Sequence, residues 1–298
     1  MTVIRRVLRR TRNPRVALRR AWELVTVPIA IFFLLDSREM HPSYRMSVLR
    51  KFRLGLRMFV NTLRIESGSS YKGHLAMALK LLELPPTIVG DVIECGTWKG
   101  ASAANLSLVC KIVSRRLLIY DSFQGLPSGT PGDREAVYYQ EGDYRGTLDE
   151  VRRNVRRYGA IDSVEFVPGW FNETLPHLRG PIVLAWLDVD LEASLETCIR
   201  HIWPVLVDQG YIFTDEATTL DDVALFWSER WWETHFQRTP PGLIGLGTFY
   251  AGPFAAMRTH PLQHGGTAAY TSKSMSGHWT LYQDELTPCD DRDPASLQ

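Results

Sequence analysis

From Asp91 the chain runs through apolar residues into Glu94-Cys-Gly96-Thr-Trp-Lys-Gly100, then a helix-like stretch, then a second apolar run that stops at Asp121. A glycine turn after a strand lets backbone approach a ligand, and an acid about 20–25 positions later can grip ribose hydroxyls. The spacing implies a βαβ unit that holds a nucleoside. Gly100 falls one position too late for G-x-G-x-x-G, the fingerprint that seats a pyrophosphate. A carboxylate at the strand tip would repel a pyrophosphate but suits a cationic ligand. S-adenosylmethionine (SAM) carries an ammonium and a sulfonium and no phosphate. The alternative for Glu94 is that it only favours the N-terminal dipole of the next helix.

The same rhythm continues. Strands are expected at 89–95, 117–121, 164–167, 182–188 and 211–215, with helices at 101–113, 148–158, 195–206 and 222–236. Several strands are continuous apolar runs, as parallel strands covered on both faces require. The fold class is therefore α/β, a doubly wound, mostly parallel sheet with ligands at the carboxyl ends of its strands. Residues 124–146, rich in Gly, Pro and charge, are expected to loop over the site. Residues 37–84 read as helical up to Leu84-Pro85-Pro86, which cannot continue a helix. Beyond Phe236 the pattern weakens; 278–283 is a candidate edge strand, and the end from Cys289 is a loose tail.

A net charge of +1 argues against a nucleic-acid partner. The four cysteines have neither metal nor disulfide spacing, which suits a reducing, cytoplasmic setting. The near-neutral total hides eight arginines and no acid in residues 1–20, followed by the apolar run 21–36. That run is shorter than the about 20 residues that span a bilayer, and Glu23 and Pro28 interrupt it. No A-x-A-like cleavage site follows it. Two readings stay open: peripheral contact with anionic lipid, or a solvated arm before a helix buried between subunits of a homo-oligomer.

Asp188 and Asp190 follow one apolar run, and Asp215 and Glu216 follow the next. If both runs are parallel strands, four carboxylates gather at one edge of the sheet. Several oxygen ligands suit a hard divalent cation, Mg²⁺ first. The alternative is that Asp190 caps the helix after it and Asp215 merely ends a strand. Trp227, Trp231, Trp232 and Phe236 crowd one expected helix and read as core or subunit contact, with sugar stacking as the other option. His260, His264 and His278 are candidate bases by side-chain type alone. Ser102 has no His/Asp arrangement to make it a nucleophile and reads as a helix-start residue.

The ordered segments GDVIECGTWKGASAANL, DSFQGLP, GTLDEVRRNVRRYG, GWFNETLP, LDVDLEAS and GYIFTDEA, over roughly residues 70–220, resemble the macrocin and mycinamicin sugar O-methyltransferase family. The resemblance implies a class I methyltransferase (Rossmann-like) domain, dependent on SAM and Mg²⁺, that methylates sugar hydroxyls on natural products. It implies that Glu94, Gly96 and Gly100 hold the amino-acid end of SAM, Asp121 its ribose, and that Trp170 lies near the adenine. Ser102 and Ser122, beside these residues, are counted with the cofactor set. Asp188, Asp215 and Glu216 fall on the family's metal positions, and Asp188 is the candidate proton acceptor. The family usually has Asp-Asp where this chain has Asp215-Glu216, and the extra methylene moves the ligand oxygens. Catechol methyltransferases place a lysine three positions after the first metal aspartate; here that position is Leu191.

The expected organisation is a basic arm and apolar helix (1–36), a helical lid or cap (37–84), the methyltransferase domain (85–288) and a tail (289–298). The acceptor is expected to be a sugar on a natural product, glycolipid or polysaccharide. A phenolic or other small-molecule acceptor is the alternative within enzymes, and a non-catalytic nucleoside-binding scaffold at a membrane is the alternative outside them.

Overall fold

The computed structural model describes residues 27–28, 31–32, 40–128, 139–217, 223–244 and 269–273. Two N-terminal helices come first, α1 (Val48–Arg64) and α2 (Tyr71–Glu83). Then follow β1 (Asp91–Cys95), α3 (Ala101–Val113), β2 (Leu117–Asp121), α4 (Leu148–Tyr158), β3 (Val164–Pro168) and β4 (Ile182–Leu187). The chain closes with α5 (Glu192–Ile202), β5 (Leu206–Thr214), α6 (Glu229–Phe236) and β6 (Ala269–Ser272). The sheet order is β3-β2-β1-β4-β5-β6. The first five strands run parallel and β6 is antiparallel to β5. Strand order reverses between β1 and β4, which opens the crevice where doubly wound sheets bind ligands.

Local chemistry explains the helix boundaries. Thr147 and Glu150 form the Thr-x-x-Glu start of α4, with the Glu150 N–H donating to Thr147 Oγ1. Asp149 and Glu150 lie in its first turn and Arg156 and Arg157 in its last, each sign facing the favourable end of the helix dipole. α3 is buried on nearly every side, so it serves as the central post of one layer. It packs with α1, α2 and α4 against Val92, Ile119, Trp186 and Phe213 of the sheet. The opposite face of the sheet, through Ile93, Leu118, Ala185 and Ile212, packs on α5 and α6. Residues 40–84 thus share a core with the sheet.

The strand positions expected from the apolar runs recur, with β5 starting earlier, at Leu206. A register shift there lets Ile182 pair with Leu206 and Leu184 with Tyr211. The edge strand is Ala269–Ser272; 278–283 lies outside the described residues, as do the three candidate histidines and nearly all of 1–36. The expected last helix is split into a 3-10 turn, Ala224–Trp227, and α6. Trp232 is fully buried against Trp203 and donates its indole N–H to Leu225 O, which supports the core reading of this aromatic cluster. Trp227 is 41% exposed. Cys95, Cys110 and Cys198 are free and buried.

Leu106, on α3, has no exposure at all. Leu106→Ala should lower unfolding stability by about 2–5 kcal/mol. Lys111→Ala, on the exposed side of the same helix, should change it by no more than about 0.5 kcal/mol. Urea melts of the two variants check this difference.

Candidate active site

Side chains alternate along a strand. Val92 and Glu94 therefore share one face of β1, under the first turn of α3. Glu94 is fully buried there and accepts from the Ser102 hydroxyl through Oε1, while Oε2 has no partner. Burial pushes this carboxyl up to about 8, against the opposing pull of its hydrogen bonds. Ser102 is thus both the helix-start residue and a direct neighbour of Glu94.

The turn after β1 needs its glycines. Gly96 has φ +80, and a Cβ there would lie 1.9 Å from the Asp188 carbonyl oxygen at the end of β4. Gly100 has φ +81 and no room for a Cβ beside Val151. Asp121, at the end of β2, locks this turn: its Oδ2 accepts from Thr97 N–H at 2.8 Å and its Oδ1 from Phe123 N–H at 2.6 Å. Burial raises its pKa, and these backbone donors counter the rise. The Ser122 hydroxyl donates to Gly125 O and accepts from Gln124 N–H, so it holds its own loop. Gly169 N–H donates to Asp121 O, which sets Trp170 beside the end of β2.

Asp188, Asp215 and Glu216 come together at the ends of β4 and β5, each half-buried. Desolvation, and then mutual repulsion with Asp190, lifts Asp215 to about 7 and Glu216 to about 8. Asp188 is raised well above the carboxylate range by burial and by Asp215, Glu216 and Asp190. Glu216 reaches back with its extra methylene and accepts from Val189 and Asp190 N–H through Oε1 at 2.6 and 2.9 Å. Asp215 Oδ1 is buried without a partner. Asp190 caps no helix: the N-cap of α5 is Leu191, and Asp190 sits at φ +60.

Among the described residues no three His, Cys, Asp or Glu side chains form a ready-made metal cluster. The donor set nevertheless suits a hard cation: oxygen atoms only, crowded like charges, and one orphaned carboxylate oxygen. Glu94, with its orphaned Oε2, likewise suits an ammonium group.

A small cleft of about 20 Å³ opens between these strand ends and α1–α2, lined by the 66–69 loop, Thr97, Trp98, Ser102 and Asp188. The sequence pattern did not reveal the 66–69 wall, which follows α1 and precedes the nucleotide-type motif. At the rim, Lys99 bonds Glu66 at 2.5 Å. The rings of Trp98, Tyr144 and Tyr139 form an edge-on series with centroids 5.3 and 5.9 Å apart. Burial, and then the nearby Asp190 carboxylate, raise the pKa of the Tyr139 phenol. Tyr139 and Tyr144 come from the expected 124–146 loop, whose arms pair through Leu126 N–H to Asp143 O and Gly142 N–H to Leu126 O.

Residues 77–240 match a family model described as macrocin-O-methyltransferase (TylF). The 8-demethyl-8-(2,3-dimethoxy-alpha-L-rhamnosyl)-tetracenomycin-C 4'-O-methyltransferase of Streptomyces olivaceus is 34% identical over 162 residues, 48% of this chain and 62% of that protein. The demethyldecarbamoylnovobiocin O-methyltransferase of Streptomyces niveus is 31% identical over 141 residues, 43% of this chain and 53% of that protein. The mycinamicin III 3''-O-methyltransferase of Micromonospora griseorubida is 30% identical over 174 residues, 51% and 68% respectively. The chain thus spans less than two thirds of the first two relatives. The solved structure of the O-methyltransferase NovP shares the fold, with a TM-score of 0.56 at 21% identity, covering 85% of this chain and 99% of that one.

The raised carboxyls make stability depend on pH. An acid whose folded pKa exceeds its unfolded value stabilises fully below the unfolded value, near 4, and loses that contribution as pH rises through the folded one. Here the window closes at about 7 for Asp215 and about 8 for Glu94 and Glu216. Fully buried His74 acts oppositely below pH 6.5, because burial lowers it to about 3. Between pH 6.5 and 8, therefore, the protein in EDTA should lose stability as pH rises, and the loss should level off above that. Asp215→Asn should flatten that loss, measured as Tm against pH by differential scanning fluorimetry.

Proposed function

The chain belongs to the macrocin O-methyltransferase family, whose model its residues 77–240 match, and on that premise we propose that it is a SAM-dependent, Mg²⁺-assisted O-methyltransferase acting on a sugar hydroxyl. The observation that carries the reading is the set of carboxylates at the carboxyl ends of the strands: Glu94 and Asp121 in the last residues of β1 and β2, and Asp188, Asp215 and Glu216 after β4 and β5. The first two suit a cationic nucleoside, and the last three suit a hard cation.

The roles follow from position. Glu94 Oε2 receives the ammonium of the amino-acid end. Gly96 and Gly100 let backbone come close, and Asp121 shapes the turn and faces the ribose, with Ser122 and Trp170 beside it. SAM supplies an electrophilic methyl on its sulfonium. Asp188, Asp215 and Glu216 hold Mg²⁺, which lowers the pKa of an acceptor hydroxyl. Asp188 lines the cleft and is the candidate proton acceptor for the hydroxyl. Holding the two reactants together at these strand ends would carry much of the rate.

The acceptor is a sugar on a natural product, glycolipid or polysaccharide. The Trp98–Tyr144 faces at the rim, with Asp190 next to them, supply what a sugar ring needs: an apolar face for its C–H bonds and an acceptor for its hydroxyls. The tetracenomycin relative acts, by its name, on a rhamnosyl compound, which supports the same class. A membrane-proximal acceptor is favoured by α1, whose exposed stripe Leu49, Arg53, Leu56, Arg57 and Arg64 contains no acid. Among the described residues no helix is long and apolar enough to cross a membrane. Contact through this stripe and the arginine-rich arm would therefore be peripheral.

Turnover with labelled SAM and a metabolite extract should stop in EDTA and return with Mg²⁺. Asp188→Asn and Asp215→Asn should each lower it at least about a hundredfold while cofactor affinity stays within a few fold. Full activity in chelator would exclude the metal-assisted reading.

Lipid contact is checked separately. Full-length protein should co-sediment with anionic vesicles at low salt and release at high salt. Deleting residues 1–20 should weaken that binding and leave methyl transfer to a soluble acceptor intact. Protein that stays in the supernatant at low salt excludes the membrane.

A further inference from the structure

Behind the 66–69 wall of the cleft lies a buried polar chain that neither the fold nor the carboxylate cluster explains. Asn61 Nδ2 donates to Tyr158 O at 3.1 Å and to Asn105 Oδ1 at 2.9 Å. Asn105 Nδ2 donates to Met58 O at 3.2 Å and stands 2.8 Å from His74 Nδ1. His74 Nε2 stands 3.1 Å from Ser69 Oγ. Asn61, His74 and Asn105 are at most 2% exposed.

The directions in this chain are fixed by its carbonyl ends. Tyr158 O and Met58 O can only accept, so both amide nitrogens must face them, and Asn105 must then present an N–H to His74. His74 Nδ1 is therefore the unprotonated nitrogen, and neutral imidazole carries its hydrogen on Nε2. Nε2–H donates to Ser69 Oγ. The Ser69 hydroxyl, having accepted from His74, keeps its own hydrogen to donate elsewhere. Ser69 lines the cleft and has no second side-chain hydrogen bond among the described residues.

From this geometry we infer that Ser69 binds the α-carboxylate of SAM as a hydrogen-bond donor, with His74 as its positioning residue. The inference rests on the SAM reading above and adds what that reading lacks. The amino-acid end of SAM is a zwitterion. Glu94 answers its ammonium, and the carboxylate needs a donor in a cleft whose ionisable lining residues are the acids Asp188 and Glu66. A serine held as an acceptor by a buried histidine cannot turn its hydrogen back onto that histidine. Its donor is thus oriented before the ligand arrives, which limits the ordering cost of binding. Burial, which keeps His74 neutral, agrees with this arrangement.

The test is a two-by-two comparison by calorimetry on the full chain: wild type and Ser69→Ala, each with SAM and with decarboxylated SAM, which lacks only the carboxylate. The substitution should weaken SAM binding by about tenfold or more, the scale of a hydrogen bond to a charged group. It should leave the affinity for decarboxylated SAM unchanged. Ser69→Thr, which keeps the hydroxyl, should recover most of the loss. Equal affinity of wild type and Ser69→Ala for SAM overturns the inference while leaving the cofactor reading intact. An equal loss for both ligands also overturns it, because Ser69 would then only support the cleft wall. Failure of the wild type to bind SAM at all removes the cofactor reading itself. The ¹⁵N spectrum of wild-type His74 gives an independent check that needs no variant: a protonated Nε2 and a bare Nδ1 are expected, and the opposite tautomer overturns the assignment.

Discussion

The contact between the turn after β1 and the end of β4 sets the rest of this structure. Asp188 N–H donates to Cys95 O at 3.0 Å, and the Asp188 carbonyl occupies the space where any side chain at position 96 would begin. Two strands that are far apart in sequence are thereby closed to backbone contact at the one point where the sheet reverses its order. A glycine is required there before any ligand is considered. Once the two ends touch, the acids that follow them must share one small volume: Glu94 from the first strand, Asp188 from the second, and Asp215 with Glu216 from the strand next to it. The Asp215 N–H extends the same ladder by donating to Leu187 O.

That volume is costly for the free protein. Like charges withdrawn from water raise one another's pKa, so part of the cluster is protonated near neutral pH rather than ionised. A sequence selected only for stability would replace such groups with apolar ones of similar volume. Their presence is better explained by ligands that repay the cost on binding. Asp121 makes the contrast. Both of its oxygens are met by backbone N–H groups from the turns it joins, so it stabilises the fold whether or not a ligand is present. Glu94 Oε2 and Asp215 Oδ1 have no such partner. Acids of the same chemical type thus divide into one that builds the site and others that wait for what enters it.

Much of this was legible in the sequence. Parallel strands covered on both faces must be apolar throughout, and their ends are marked where the first acid or glycine appears. Hence Glu94, Asp121, Asp188 and Asp215 could be set at strand ends from pattern alone, and α3 and α4 have the expected bounds, 101–113 and 148–158. The orientation of the carboxylates was not legible. Glu216 occupies a position read as a metal ligand, yet one of its oxygens turns to the N–H groups of Val189 and Asp190. Only the backbone path after β4, with Asp190 at positive φ, exposes those donors. Nor could spacing reveal the 66–69 wall. Its residues are short and polar, it carries no periodicity, and its place at the cleft depends on how α1 and α2 dock on α3.

That docking links the N-terminal helices to the chemistry. Asn61 on α1, His74 on α2 and Asn105 on α3 meet in a buried line, each using donors and acceptors that water would otherwise satisfy. An unmet member of such a network costs more than a completed bond gains, so the three helices are held in one relative position or the network fails as a whole. Leucines at these places would pack the helices at less risk. They would leave the loop after α1 free to rotate its hydroxyl, and the helices would then cover the cleft without shaping it. The polar line fixes the direction of one hydrogen on the cleft wall, and this is the physical reason to treat α1 and α2 as part of the active site rather than as a layer laid over it.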